Sequence, residues 1–261
     1  MQRKILNRVT ITGADDSVNP RYLLEISQEF PWVEWGILLS KNQQNTKRFP
    51  SKEWVEYLGQ QIRRFKNDKR FNNVNANFSG HLCGSWLRQL LISNKPEIFN
   101  NWVSKYFYLF DRVQFNWHGE PQTINWEIFK NNIEKIYLQR QIIFQIDQVN
   151  NNLFLEAENK FSLGVIIPFY DLSHGTGILP DSWPKNIGTS IFYGYGGGLT
   201  PYNLDEELEK IEQVLTSNSS VWIDVETGVR GNSYHSIGDE LFNLHKVWKF
   251  LKIAEKYIQN Y

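Results

Sequence analysis

The chain has a single cysteine (Cys83), a single methionine and no excess of either charge, with Lys plus Arg and Asp plus Glu at 28 each. One cysteine excludes an intramolecular disulfide and a thiolate zinc cluster. Balanced charge removes the overall field that draws a protein to nucleic acid or to an anionic membrane, so neither is expected as a partner. Long hydrophobic runs are missing too. Stretches such as 164–170 fall far short of the ~20 residues that a membrane helix needs. Residues 1–4 lead almost directly into a strand-like segment, without the apolar core of a secretory signal. A cytoplasmic protein is the expectation.

What the chain does have is core-forming material: 41% hydrophobic and 15% aromatic residues over a length of 261, enough to bury a large core. Short β-branched or aromatic runs fall at 8–13, 33–40, 74–79, 112–116, 142–147, 164–171, 189–195 and 221–225. Helical periodicity occupies 20–30, 52–66, 84–93, 126–136, 153–160, 204–215 and 237–258. The stretch between the sixth and seventh strands is weaker and reads as a short helix. Asn19 before Pro20, Ser51, and Asn203 before Asp205, Glu206 and Glu207 supply helix-start signals. This alternation predicts an α/β fold, a single (β/α)8 barrel over 1–261 with extra segments near 41–50 and 95–110. An open doubly wound sheet is the competing architecture, but no Gly-x-Gly-x-x-Gly turn follows the first strand.

In such a barrel the site lies at the carboxyl ends of the strands. Arriving there are Thr12, Asp15 and Asp16 after strand one, and Lys47 and Arg48 after strand two. Strands three to five bring His81 and Cys83, then Asn116, His118 and Glu120, then Asp147. Asp171 and His174 with Gly175-Thr176-Gly177 follow strand six, Gly196-Gly197-Gly198 strand seven, and Asp224-Val225-Glu226-Thr227-Gly228 strand eight. Glycines there let backbone N–H groups approach an anion, so a phosphate site at strands seven and eight is expected; the plainer reading is turns that need positive φ. A helix opening near Asn203 would add its positive end. Asp15 and Asp16 read first as caps of the first helix.

These segments resemble the phosphoribosylanthranilate isomerase family. Gly197-Gly198-Leu199-Thr200-Pro201-Tyr202-Asn203 is similar to that family's Gly-Gly-Leu-x-Pro-x-Asn, and Asp224-Val225-Glu226-Thr227-Gly228-Val229 to its Asp-Val-Ser-Ser-Gly-Val. Tyr170-Asp171 followed by His174-Gly175-Thr176-Gly177, Val113-Gln114 followed by His118-Gly119, and Lys47-Arg48-Phe49 extend the resemblance along the chain in order. It implies a phosphate cradle at Gly197, Gly198, Thr227 and Gly228, joined by Gly175 and Gly177. It also implies Asp171 as general acid and Arg48 on a substrate anion. The reaction implied is an Amadori rearrangement, which needs an acid and a base across the substrate.

Where the family carries Cys-Gly at the end of strand one, this chain has Thr12-Gly13. A threonine hydroxyl without an activating neighbour is no base at neutral pH. His81 with Cys83, or His118, can replace it if the imidazole polarises the thiol; a buried small cysteine beside a satisfied histidine is the plainer alternative. Thr12 and His174 then fall to substrate binding. No ligand spacing such as His-x-x-x-His supports a metal, and no cofactor is expected. The expected partner is a small phosphorylated metabolite, in a monomer or homodimer. The expected activity is an isomerase acting on a phosphoribosyl or phosphosugar substrate. The alternative is a non-catalytic barrel that binds such a metabolite.

Overall fold

The computed structural model describes residues 3–68, 76–117, 124–137, 141–147, 149–161, 165–173, 176–189, 192–216, 219–231 and 241–259. Eight strands pair in sequence order: β1 (Leu6–Thr12), β2 (Val33–Ser40), β3 (Asn77–Cys83), β4 (Arg112–Phe115), β5 (Gln141–Ile146), β6 (Ile166–Asp171), β7 (Phe192–Gly196) and β8 (Ser220–Val225). All pairings are parallel, and β8 closes on β1 to complete the barrel. The outer ring holds α1 (Pro20–Glu29), α2 (Lys52–Asn67), α3 (Gly84–Ile92), α4 (Trp126–Tyr137), α5 (Asn151–Lys160), α6 (Leu204–Val214) and α7 (Leu244–Ala254). This is the (β/α)8 barrel that the alternating pattern implies.

Successive strand residues face opposite ways, so each strand divides between two interiors. Val9, Ile11, Val33, Trp35, Ile37 and Val113 point outward into the layer shared with the helices. There Trp35 Nε1 donates to Ser27 Oγ of α1 at 2.9 Å, which satisfies the one polar atom of a fully buried indole. The alternate residues fill the barrel. Its floor combines an apolar cluster of Ile143, Ile167, Phe169 and Trp222 with the buried ion pair of Glu34 and Arg112. Arg112 also stacks over Trp222, 4.4 Å from the ring centroid.

Three boundaries differ from the sequence pattern. The third strand runs over Asn77–Cys83, four residues past the expected end at 79, while 74–75 of the expected span lie outside the described residues; Asn77 Nδ2 ties its start to the Pro31 and Val33 carbonyls at 3.1 Å each. The last helix begins at Leu244, where Asn243 accepts from the backbone N–H groups of His245 and Lys246. No helix forms between β6 and β7 among the described residues; that segment is pinned by Tyr170 Oη to Asn186 and by Trp183 Nε1 to Glu207. The additional segment before β4 holds two 3-10 helices, Glu97–Asn100 and Trp102–Leu109. No described helix is long and apolar enough to cross a membrane.

Candidate active site

A cavity of about 310 Å³ opens at the carboxyl ends of the strands. Its walls are of two kinds. On the β6–β8 side it is lined by Gly177, Gly196, Gly197, Gly198 and Gly228, and on the β3–β5 side by His81, Gln114, Asn116 and Gln145. Asp171, Asp224 and Glu226 share it.

Asp171 and Asp224 flank β7 in one row, since Gly196 pairs in register with both. Two strand spacings set their Cα atoms about 10 Å apart, and the Phe169 ring packs over Gly196 between them, where a Cβ would stand 2.5 Å from Phe169 Cζ. Asp171 accepts three hydrogen bonds: from Gln145 Nε2 at 2.8 Å, and from the Ser173 N–H and Oγ at 3.0 and 2.6 Å. Asp224 accepts one, from Thr12 Oγ1 at 2.8 Å. Burial, reinforced by the charges of Glu226, Asp171 and Glu34, raises Asp224 well above the ordinary carboxylate range, against the opposing bond from Thr12. Thr12 is therefore not a lone hydroxyl at the cavity edge; it donates to a buried carboxyl whose proton affinity is raised.

That raised value carries a stability cost with a definite sign. Below the ordinary value of 3.8 both folded and unfolded chains hold the proton; above it the unfolded chain releases it first, and stability falls as pH rises. Asp224→Asn, which keeps an acceptor for Thr12, is expected to be more stable than the natural chain at neutral pH by on the order of 1 kcal/mol. The gain should vanish in acid, as thermal melts across pH would show.

The imidazole–thiol pair is not formed. His81 is fully buried and neither ring nitrogen has a hydrogen-bond partner among the described residues, while the Cys83 thiol points to the His81 carbonyl oxygen at 3.7 Å. Burial, with Arg112 adding to it and Glu34 opposing, drives His81 down to about 3, so the ring stays neutral. Burial and the nearby Glu226 charge push the Cys83 thiol far up, despite a hydrogen bond with Asn116. As placed, the imidazole does not polarise the thiol. Gly36 makes the space for this ring, since a Cβ there would stand 2.1 Å from Thr12 Oγ1 and 2.8 Å from His81 Cε1.

Arg48 differs from expectation as well. Its Nη1 donates to Glu226 Oε1 at 2.6 Å, so its charge is engaged by the protein's own carboxylate. Burial raises Glu226, and Arg48 opposes the shift. Asp15 and Asp16 are loop ties rather than helix caps; the cap of α1 is Asn19, which accepts from the Arg21 N–H. Asp15 takes Ser17, the Arg48 N–H and Arg230 Nη2, whose combined pull overcomes burial and lowers it, and Asp16 takes the Ser51 N–H and Oγ.

At the glycine-rich end, Asn203 is not the side-chain cap of α6. It accepts from the Thr200 N–H and Oγ1 and donates to the Gly198 carbonyl at 3.0 Å, fixing the β7 loop. The first turn of α6 carries Asp205, Glu206 and Glu207, which face its positive end in place of an external anion. Gly177 abuts Thr227, and the turn at Gly228 passes against Leu199, so three loops converge on one cradle. His118, His174 and Gly175 lie outside the described residues. Gln114 and Asp224 enter the sequence reading only as members of the matched segments 113–114 and 224–229, and Gln145 is not singled out at all, because nothing in the spacing of these residues marks them individually. Among the described residues no group of three or more His, Cys, Asp or Glu is placed to hold a metal ion.

No family model matches the chain, and no curated protein matches it in sequence. Solved structures do. Phosphoribosyl anthranilate isomerase from Thermotoga maritima is 16% identical over 96% of this chain and 100% of its own, with a TM-score of 0.51. A phosphoribosyl anthranilate isomerase in complex with reduced 1-(o-carboxyphenylamino)-1-deoxyribulose 5-phosphate is 15% identical over 96% and 100%, with a TM-score of 0.53. The enzyme from Thermus thermophilus is 13% identical over 95% and 98%, with a TM-score of 0.55. The chain has the barrel fold of the phosphoribosyl anthranilate isomerases.

Proposed function

We propose that the chain is an acid–base isomerase of a phosphorylated sugar or aminosugar, with its phosphate in the Gly177, Gly197, Gly198, Thr227 and Gly228 cradle. The observation that carries this reading is the row Asp171–Gly196–Asp224: two buried carboxyl groups with different hydrogen-bond partners that line one cavity beside glycine-rich turns. Asp224 holds its proton and donates it to the substrate's carbonyl oxygen. Asp171, whose oxygens already accept bonds, takes the proton from the adjacent carbon and returns it to the former carbonyl carbon, while Asp224 recovers a proton from the neighbouring hydroxyl. This reverses the role expected of Asp171. The fold neighbours support the phosphosugar class, one of them having been solved with a deoxyribulose 5-phosphate derivative.

The test is exchange of the carbon-bound proton in deuterated water, followed by NMR over a panel of aldose and ketose phosphates that includes phosphoribosylanthranilate. Exchange with at least one member is expected; none with any member would leave the non-catalytic binding reading, which the threonine at the end of β1 favours. The cradle has its own test. A Cβ at Gly228 would lie 2.0 Å from the Leu199 carbonyl oxygen, a backbone atom that cannot yield alone. Gly228→Ala is expected to destabilise the fold by about 1–3 kcal/mol and to abolish binding of inorganic phosphate by calorimetry.

A further inference from the structure

His81, Gln114 and Gln145 line the cavity opposite the glycine turns, and each is at most 2% exposed. Each also carries hydrogen-bonding capacity that the protein does not use. Gln114 Nε2 donates to Asn116 Oδ1 at 3.0 Å and Gln145 Nε2 to Asp171 Oδ2 at 2.8 Å, which turns both amide oxygens away from those partners. Both oxygens, and both ring nitrogens of His81, have no partner among the described residues. Such atoms cost about 1–3 kcal/mol each when left unmade, so a ligand that meets them is favoured over one that does not. A neutral imidazole offers one donor and one acceptor, and the two amide oxygens offer acceptors only. The complement is a chain of hydroxyl groups, which donate and accept in turn.

We propose that the part of the substrate distal to the phosphate is an uncharged, hydroxyl-bearing chain held by His81, Gln114 and Gln145, and not a carboxylated aromatic ring. The inference rests on the phosphosugar reading above and narrows its substrate class. Hydrogen-bond chemistry points the same way: a carboxylate only accepts, and the Gln114 and Gln145 amide oxygens have no hydrogen to give it. Size agrees, because about 310 Å³ is at the small end of ligand pockets.

Calorimetry on the full chain tests this with three probes: inorganic phosphate, ribitol 5-phosphate, and reduced 1-(o-carboxyphenylamino)-1-deoxyribulose 5-phosphate, which adds a carboxyaryl amine to a similar phosphorylated chain. Ribitol 5-phosphate is expected to bind at least about tenfold more tightly than either other probe. Gln114→Leu and His81→Phe should each weaken it by about tenfold while leaving inorganic phosphate within about twofold. Tighter binding of the carboxyaryl compound, or ribitol 5-phosphate no better than phosphate, overturns this inference alone and leaves the phosphate cradle standing. Failure of all three probes to bind overturns the cradle and this inference together. The ranking on the natural chain decides the matter even if a variant does not fold.

Discussion

Asp171→Asn is expected to lower turnover by about 10²- to 10⁴-fold, the usual contribution of one positioned proton-transfer group, with little loss of folded protein. The fold should survive because asparagine keeps an oxygen for the Ser173 N–H and Oγ, and the Gln145 amide can turn to accept from the new NH₂. What is lost is the carboxylate proposed to take a proton from carbon. The loss should appear in kcat and kcat/KM together, with the affinity for inorganic phosphate unchanged. Solvent-proton exchange should fall in parallel. Activity within about threefold of the natural chain would remove Asp171 from the chemistry. The same substitution separates an enzyme from a binding protein, in which only affinity would move.

Glu34→Gln carries the largest expected effect on stability. Glu34 is fully buried and accepts from Arg112 Nε at 2.8 Å, from Arg112 Nη2, from Arg8 Nη1 at 2.7 Å and from Thr10 Oγ1 at 2.9 Å. Burial by itself would raise its pKa, but Arg112 and Arg8 overcome this and hold it at about 2. The neutral amide leaves the Arg112 guanidinium, 2% exposed, without its counter-charge, at a cost of about 3–5 kcal/mol. Against a total of roughly 5–15 kcal/mol for a folded domain, that is a large fraction. Urea unfolding measures it directly, and a loss under about 1 kcal/mol would show the pair to be dispensable. The double variant Glu34→Gln with Arg112→Met should recover much of the deficit. The pH dependence has a fixed sign. The pair's contribution is complete above the ordinary glutamate value of 4.5 and is lost as pH falls toward about 2, an acid limb that the variant lacks.

The same ion pair shows why part of the molecule was not legible in its sequence. Barrel architecture was, because β-branched runs and helical periods alternate with clear start signals at Asn19 and Ser51. Polar alternation in β3 was harder to read: Asn77, Ser79 and His81 face one way while Phe78 and Leu82 face the other, and the strand's end was placed four residues early. Glu34 and Arg112 are 78 positions apart, and only closure of the sheet makes two surface-like residues into a buried pair. At the site, Asp171 and the glycine turns stood out by position. Gln114 and Gln145 did not, since an amide becomes informative only when one end is seen bonded and the other without a partner. The engagement of Arg48 by Glu226 depends on a contact across 178 residues.

The seam between β1 and β8 has a kinetic consequence. Thr12 meets Asp224 across 212 residues, and Arg230 reaches Asp15 and the Gly13 carbonyl across 215 and 217. Contacts so remote in sequence form only after the entropy of closing nearly the whole chain has been met, which slows folding relative to chains rich in local contacts. One of the groups that close the ring, Asp224, also lines the cavity. A nascent or partly folded chain can thus have most of its helices in place and still have no site, so catalytic competence should be the last property to return during refolding.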